Sequence, residues 1–254
     1  MKAWHLGQKL VVLVGLLGVW ALLARFGPWP HHLFPGPRAV ADSLWAMARD
    51  GRLWDALVRS MSRLSQGYGI SVFIGVPLGM VMGRVALVRR CLRPLVVGLQ
   101  ALPSICWLPL ALLWFGLTET SIIFVVVMGS VLAICIAVED GVMGVDPMLL
   151  RVSSTYGIRG ARFYGGVLLP AALPGIVTGL KLGWSFAWRA LMAGELLYVS
   201  GGLGQLLTMG RELMEIPQVM AVMVCIIAVG TLIDRVIFQT MESRIRRRWG
   251  LTTG

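Results

Sequence analysis

Lysine is nearly missing from this chain, occurring only as Lys2, Lys9 and Lys181. None of the three follows the glycine of a phosphate-binding loop, so the chain has no P-loop of its own for ATP. Histidine is as scarce: His5, His31 and His32 all lie near the N-terminus. That excludes a His-Glu-x-x-His zinc site and leaves Ser121 and Ser185 without an imidazole to activate them. Cys91, Cys106, Cys135 and Cys225 are isolated in or beside apolar sequence, with no pair at metal-site spacing, and are read as small buried residues. Charge itself is thin. Only 14% of residues are charged, against about 25% in soluble domains. These absences argue against an enzyme and against a metal or cofactor held by this chain.

What fills the space is apolar: 57% of residues are hydrophobic and the mean hydropathy is +0.79. Windows near the roughly 20 residues needed to cross a bilayer occur at Leu10 to Phe26, Gly67 to Val85, Pro94 to Phe115, Ser121 to Val138, Ala171 to Val199 and Gln218 to Phe238. Six spans would place both termini on one side of the membrane. The first window could be a signal peptide, but Ala24-Arg25-Phe26-Gly27 is a poor cleavage site, so it is read as a retained helix.

Basic residues set the orientation. On the side of the termini fall Lys2, Lys9, Arg84, Arg89, Arg90, Arg93, Arg151, Arg159, Arg162, Arg235, Arg244, Arg246, Arg247 and Arg248; on the other, Arg25, Arg38, Arg49, Arg52, Arg59, Arg63 and Arg211. Loops rich in Arg and Lys stay cytoplasmic, so the bias of fourteen to seven predicts cytoplasmic termini. The net charge of +11 is then a topology signal and a lipid-headgroup contact. Spread over loops without a continuous groove, it gives no nucleic-acid surface.

The polar insert Asp146 to Pro170 interrupts the apolar run on that cytoplasmic side. Asp146 is placed to cap a helix, Pro147 suits its first turn, and Gly157 can take the left-handed conformation that ends it. Met148, Leu149, Val152 and Tyr156 fall on one face while Arg151, Ser154 and Thr155 point elsewhere, as for a helix laid in a partner's groove. A lipid-surface helix joining two spans would show the same stripe.

Gly157, then nine residues, then Val167-Leu168-Leu169-Pro170 resembles the cytoplasmic-loop motif of ABC importer permeases, which reads Glu-Ala-Ala, three residues, Gly, nine residues, Ile-x-Leu-Pro. Gly157, Leu169 and Pro170 match and Val167 stands in for Ile; Arg151, Val152 and Ser153 occupy the Glu-Ala-Ala positions, with the charge reversed at Arg151. The segment ALPSICWLPLALLWFG and the end GLGQLLTMGRELMEIPQVMAVMVCIIAVGTLIDRVIFQTMESRIRRRWG are similar to the nitrate, sulfonate and taurine branch of that family. The likeness covers about residues 33–250. It implies an all-α integral membrane protein with six transmembrane helices, the type I ABC importer permease fold, and a cytoplasmic coupling helix in the bacterial inner membrane. It also implies a homodimer, two cytoplasmic ABC ATPase subunits that hold the ATP and Mg, and an extracytoplasmic solute-binding protein. The ATPase-coupling residues would be Asp146, Leu149, Arg151, Val152, Ser153, Ser154, Tyr156, Gly157, Ile158, Arg159, Phe163, Leu169 and Pro170. On this reading residues 1–32 are an N-terminal span and the start of an outer loop, 33–250 the permease core and 251–254 a tail.

Between the first two spans, Phe34 to Gln66 reads as two short surface helices, one opened by Pro37 and one running from Leu53 through Trp54, Leu57, Val58 and Met61. Arg52, Arg59 and Arg63 fall on another face, suited to snorkelling beside lipid or to receiving a binding protein. Pro94, Pro103 and Pro109 break the third window, which favours a helix facing a pathway. Gly75, Pro77, Gly79 and Gly83 in the second fit either a pathway or close packing. The fifth window holds Lys181, Arg189 and Glu195. Arg189, with Trp184 and Trp188, is a candidate lining for an anion's route beside Pro103 and Pro109, or one half of a structural ion pair. The solute would be a small anion of the sulfonate, taurine or nitrate class. A secondary transporter is the alternative; it would need mid-membrane carboxylates, and Glu195 is the one this reading finds.

Overall fold

The computed structural model describes residues 2–28, 30, 33–197 and 201–248, with side chains for fewer at both ends. His31, His32, the end of the fifth window at Val199 and the tail 251–254 lie outside the described residues, as do the side chains of Lys2, His5, Lys9, Arg246, Arg247 and Arg248. Every regular element among the described residues is helical. In order these are α1 (Lys2–Phe26), α2 (Pro37–Arg49), α3 (Arg52–Arg84), α4 (Ala86–Gln100), a 3-10 turn (Ser104–Trp107) leading into α5 (Leu108–Phe115), α6 (Glu119–Met143) and α7 (Pro147–Thr155). Then come α8 (Ala161–Phe163), a π turn (Tyr164–Leu168) and α9 (Leu169–Leu197). The chain ends with α10 (Leu203–Glu212), α11 (Ile216–Ile233), a second π turn (Asp234–Gln239) and α12 (Thr240–Arg248).

Among the described residues four runs are long and apolar enough to cross a bilayer: Arg52–Arg84, Glu119–Met143, Ala161–Leu197 and Ile216–Ile245. The pair Ala86–Gln100 and Ser104–Phe115 adds a fifth only if taken together, because the two halves meet at 95°. In α1 (25 residues) the stretch Val14–Phe26 is an apolar helix among the described residues. The third window is therefore a bent pair and not one rod. Pro103 pushes Leu102 out of helical geometry, and its own ψ of 133° turns the chain. Pro109 sits in the first turn of α5, where its missing N–H has no intrahelical acceptor to lose.

The contacts divide the chain into two units, 1–59 with 201–228 and 60–200 with 229–254. In the first, Trp20 Nε1 donates to the Pro35 carbonyl at 3.1 Å, tying α1 to the entry of α2. Gln218 Nε2 donates to Leu206 O at 3.0 Å and ties α11 to α10.

The second unit is organised on α6. In its most apolar window 61% of residues are buried, against 28% for the runs containing α3 and α9, so α6 is the central helix. Along α3, Gly67, Ser71, Gly75, Gly79 and Gly83 recur every four residues on the side facing α6. There a Cβ on Gly79 would fall 2.5 Å from the Cys135 carbonyl oxygen. Ser130 Oγ donates to Ser71 Oγ at 2.7 Å within the same seam. On the other side α9 comes so close that a Cβ on Gly175 would lie 2.4 Å from Gly141 Cα. The glycines of the second window thus serve close packing, which in an apolar solvent is the main force joining helices.

Two expectations for the outer segment change. The helix expected over Leu53 to Met61 is continuous with the second span as α3. Arg63, expected beside lipid, is 1% exposed: its Nη1 donates to Glu195 Oε1 at 2.9 Å and its Nη2 to Glu119 Oε1 at 2.8 Å. Ser60 Oγ donates to the same Glu195 carboxylate at 2.8 and 2.9 Å. A partner 132 residues away is what makes the burial tolerable. Nor is Glu195 alone. Glu139 in α6 is fully buried and accepts from Arg93 Nη1 at 2.7 Å, and Asp234 stands 3.7 Å from Lys181 Nζ.

Candidate functional site

The insert forms the helix its sequence predicts, and each end is closed by the expected residue. Asp146 Oδ1 accepts from the Met148 N–H at 2.8 Å, satisfying one orphan donor of the first turn, and Pro147 opens α7. At the other end Ile158 N–H donates to Ser153 O at 3.0 Å and Gly157 N–H to Ser154 O at 3.1 Å, the paired bonds of a Schellman stop. Gly157 carries φ +69°, the left-handed value that the stop requires. Ser154 Oγ and Thr155 Oγ1 bond back to Arg151 O at 2.7 and 3.1 Å.

The two faces of α7 differ. Leu150 and Phe163 pack on the cluster of Val142, Val145, Leu168 and Ala172, and Arg84 lies 5.1 Å over the Phe163 ring. Ser153 is buried, and its Oγ donates to Leu150 O at 2.8 Å. Met148, Leu149, Val152 and Tyr156 all stand exposed, Tyr156 at 80%. Arg151 and Arg159 are exposed beside them, and Ile158 is half-buried. The stretch around Leu169 and Pro170 joins α8 to α9 through the π turn, where the Leu169 N–H reaches back to Tyr164 O. The widened turn relieves the clash that a proline ring makes with the preceding turn.

The expected solute-path residues separate. Arg189 and Pro103 line one cavity of about 240 Å³ at the α4–α5 elbow, together with Gln100, Ser104, Gly129 and Phe186. Trp184 and Trp188 do not join them. Their rings stack at 6.4 Å, with Tyr68 edge-on at 5.5 Å and Phe238 at 5.9 Å from Trp184, which makes them packing between α3, α9 and the second π turn. Pro109 is exposed on α5 and is not among the lining residues. Gln100 and Ser104 carried no sequence signal, since only the bend brings them to Arg189.

An all-helical chain with long apolar runs and a short capped helix between two of them falls in the class of integral membrane proteins. The chain belongs to the family of binding-protein-dependent transport system inner membrane components, whose model matches residues 75–247. It is 33% identical to an ABC transporter permease protein of Methanocaldococcus jannaschii over 222 residues, 85% of this chain and 83% of that one. With the taurine transport system permease protein of Escherichia coli it shares 29% over 240 residues, 91% of this chain and 87% of the relative. Its fold is that of the MetNI methionine ABC transporter in an inward-facing structure, at TM-score 0.64 and 21% identity over 82% of this chain and 97% of that chain. The protein is thus the permease component of an ABC importer, with the type I importer permease fold.

Proposed function

We propose that the chain forms the transmembrane path for a small anion of the sulfonate, taurine or nitrate class, delivered by an extracytoplasmic binding protein. Two copies would enclose the path, and two ATPase subunits would each grip one insert over residues 146–170. The observation that carries this reading is the exposed apolar face of α7, held at both ends by Asp146 and Gly157 while the opposite face is packed on α6 and α9. A helix so fixed moves as one piece with the spans under it, so closure of paired ATPases would be passed on as a rigid-body shift. ATP and Mg would be bound by the ATPases, and their preference for the closed pair supplies the bias between states.

The excess of basic residues on one side supports cytoplasmic termini, with α1 as a sixth span and 33–250 as the core. The substrate class draws support from the taurine relative and from Arg189, a cation within an apolar helix. The test is Gly157→Val, whose β-branched side chain opposes φ +69°. The expected result is loss of ATPase co-purification and of ATP-driven uptake in proteoliposomes with membrane insertion intact; unchanged co-purification and uptake would reject the insert as the ATPase contact.

A further inference from the structure

Arg189 sits at an unusual place for an uncompensated charge. It lies eight residues from the C-terminal end of α9, within a run long enough to span the bilayer, and has no carboxylate partner among the described residues. Its Nε donates to Ser185 O at 3.1 Å, and its Cζ rests 4.5 Å from the centre of the Phe186 ring. The guanidinium is therefore held by its inner edge and one face, leaving the Nη groups as unused donors. A charge within a membrane-spanning apolar run is costly unless something answers it.

The cavity beside it holds further unused polarity. Gln100 and Ser104 line the same space, and neither side chain makes a hydrogen bond among the described residues. Gly129 lets α6 close against this corner, since a Cβ there would meet Ala190 Cβ at 2.8 Å and Ser104 Cβ at 3.1 Å. No acidic side chain lines the cavity. Its 240 Å³ is below the roughly 300–1,000 Å³ of pockets for drug-sized ligands, and so fits a solute of few heavy atoms.

We infer that the elbow cavity is a binding site for the oxyanion head of a small sulfonate or carboxylate, taken by the Arg189 fork with the Ser104 hydroxyl and Gln100 amide as further donors. The inference rests on the importer reading above and gives its path a defined seat for the anion. Two oxygens of a sulfonate match two parallel guanidinium N–H bonds, and the third is left for Ser104 or Gln100. A cation finds no acceptor charge there. The phosphate of a membrane lipid carries the same chemistry, so the experiment must separate a free solute from a headgroup.

The permease is purified with its ATPase in delipidated maltoside micelles, ethanesulfonate binding is followed by calorimetry, and retained phospholipid is measured by native mass spectrometry. Saturable binding is expected in the unaltered complex, weakened by more than about tenfold in Arg189→Gln and by a smaller factor in Ser104→Ala and Gln100→Leu. Arg189→Lys, which keeps charge without the fork, falls between, and choline binds to none of them. Equal ethanesulfonate affinity in Arg189→Gln and the unaltered complex overturns the site, as does loss of retained phospholipid in that variant with no change in sulfonate binding. Should Arg189→Gln fail to assemble, unchanged affinity in both Ser104→Ala and Gln100→Leu overturns it. ATPase retained in a preparation that shows no sulfonate site leaves the importer reading standing; ATPase absent from the unaltered preparation strikes that reading instead.

Discussion

Replacing Glu195 with leucine removes the carboxylate that holds Arg63 inside the bundle. Glu195 lies in the last turn of α9, its side chain fully buried, and receives hydrogen bonds from Ser60 and Arg63 of α3. Arg63 keeps its ion pair with Glu119 at the start of α6, whose side chain is 59% exposed. The variant takes a fully buried carboxylate from beside a buried guanidinium. Breaking one side of a buried pair costs about 3–5 kcal/mol, whereas replacing both partners with apolar groups is often neutral or better. With Glu119 still in place, Glu195→Leu should sit at the lower end, about 3 kcal/mol. Arg63→Met should cost as much, because it takes the opposite charge from the buried Glu195 carboxylate, and the double variant should cost less than either, a coupling of about 2–3 kcal/mol. Equilibrium unfolding in mixed dodecyl sulfate and maltoside micelles, read by tryptophan fluorescence, measures all four corners of the cycle. Single losses below about 1 kcal/mol that simply add in the double variant would refute the claim that this pair fastens α3 to α9.

Gly79→Val should destabilise the bundle by about 1–3 kcal/mol through overpacking, because the new Cβ meets the Cys135 carbonyl at 2.5 Å; an unchanged unfolding midpoint in the same micelles counts against the seam. Asp146→Ala should weaken α7 by about 0.5–2 kcal/mol, seen as faster amide exchange at Met148 to Leu150 with the transmembrane helices unaffected. Arg93→Gln strips the charged partner from buried Glu139, whose Oε2 has no hydrogen-bond partner among the described residues, and should cost about 1.5–3 kcal/mol. Adding Glu139→Gln should restore most of that loss, and failure to do so would mean the carboxylate is not the stranded group. Arg151→Glu should lower ATPase retention if a partner carboxylate answers the exposed guanidinium; unchanged retention on a pull-down would show that the reversed charge is neutral.

The sequence by itself determined whatever rests on short-range physics. Apolar runs identify membrane helices because bilayer thickness fixes their length, and the closure of α7 follows from residues adjacent in the chain: Asp146 reaches Met148 two positions on, and Gly157 ends the helix through bonds to Ser153 and Ser154. The missing lysine and histidine motifs needed no structure to be informative. Tertiary structure decided the questions in which a side chain's partner lies far along the chain. Arg63 lies on an amphipathic pattern that reads as lipid-facing, and the distant carboxylates Glu195 and Glu119 make its burial possible. Arg189 and the two tryptophans are neighbours in sequence, yet at 100° per residue a helix turns them toward different neighbours. Prolines announced a break in the third window but not its angle; the 95° bend is what carries Gln100 and Ser104 to Arg189. Local caps and periodicity fix where helices begin and end, while the partners of buried charges and the lining of a cavity depend on how those helices pack.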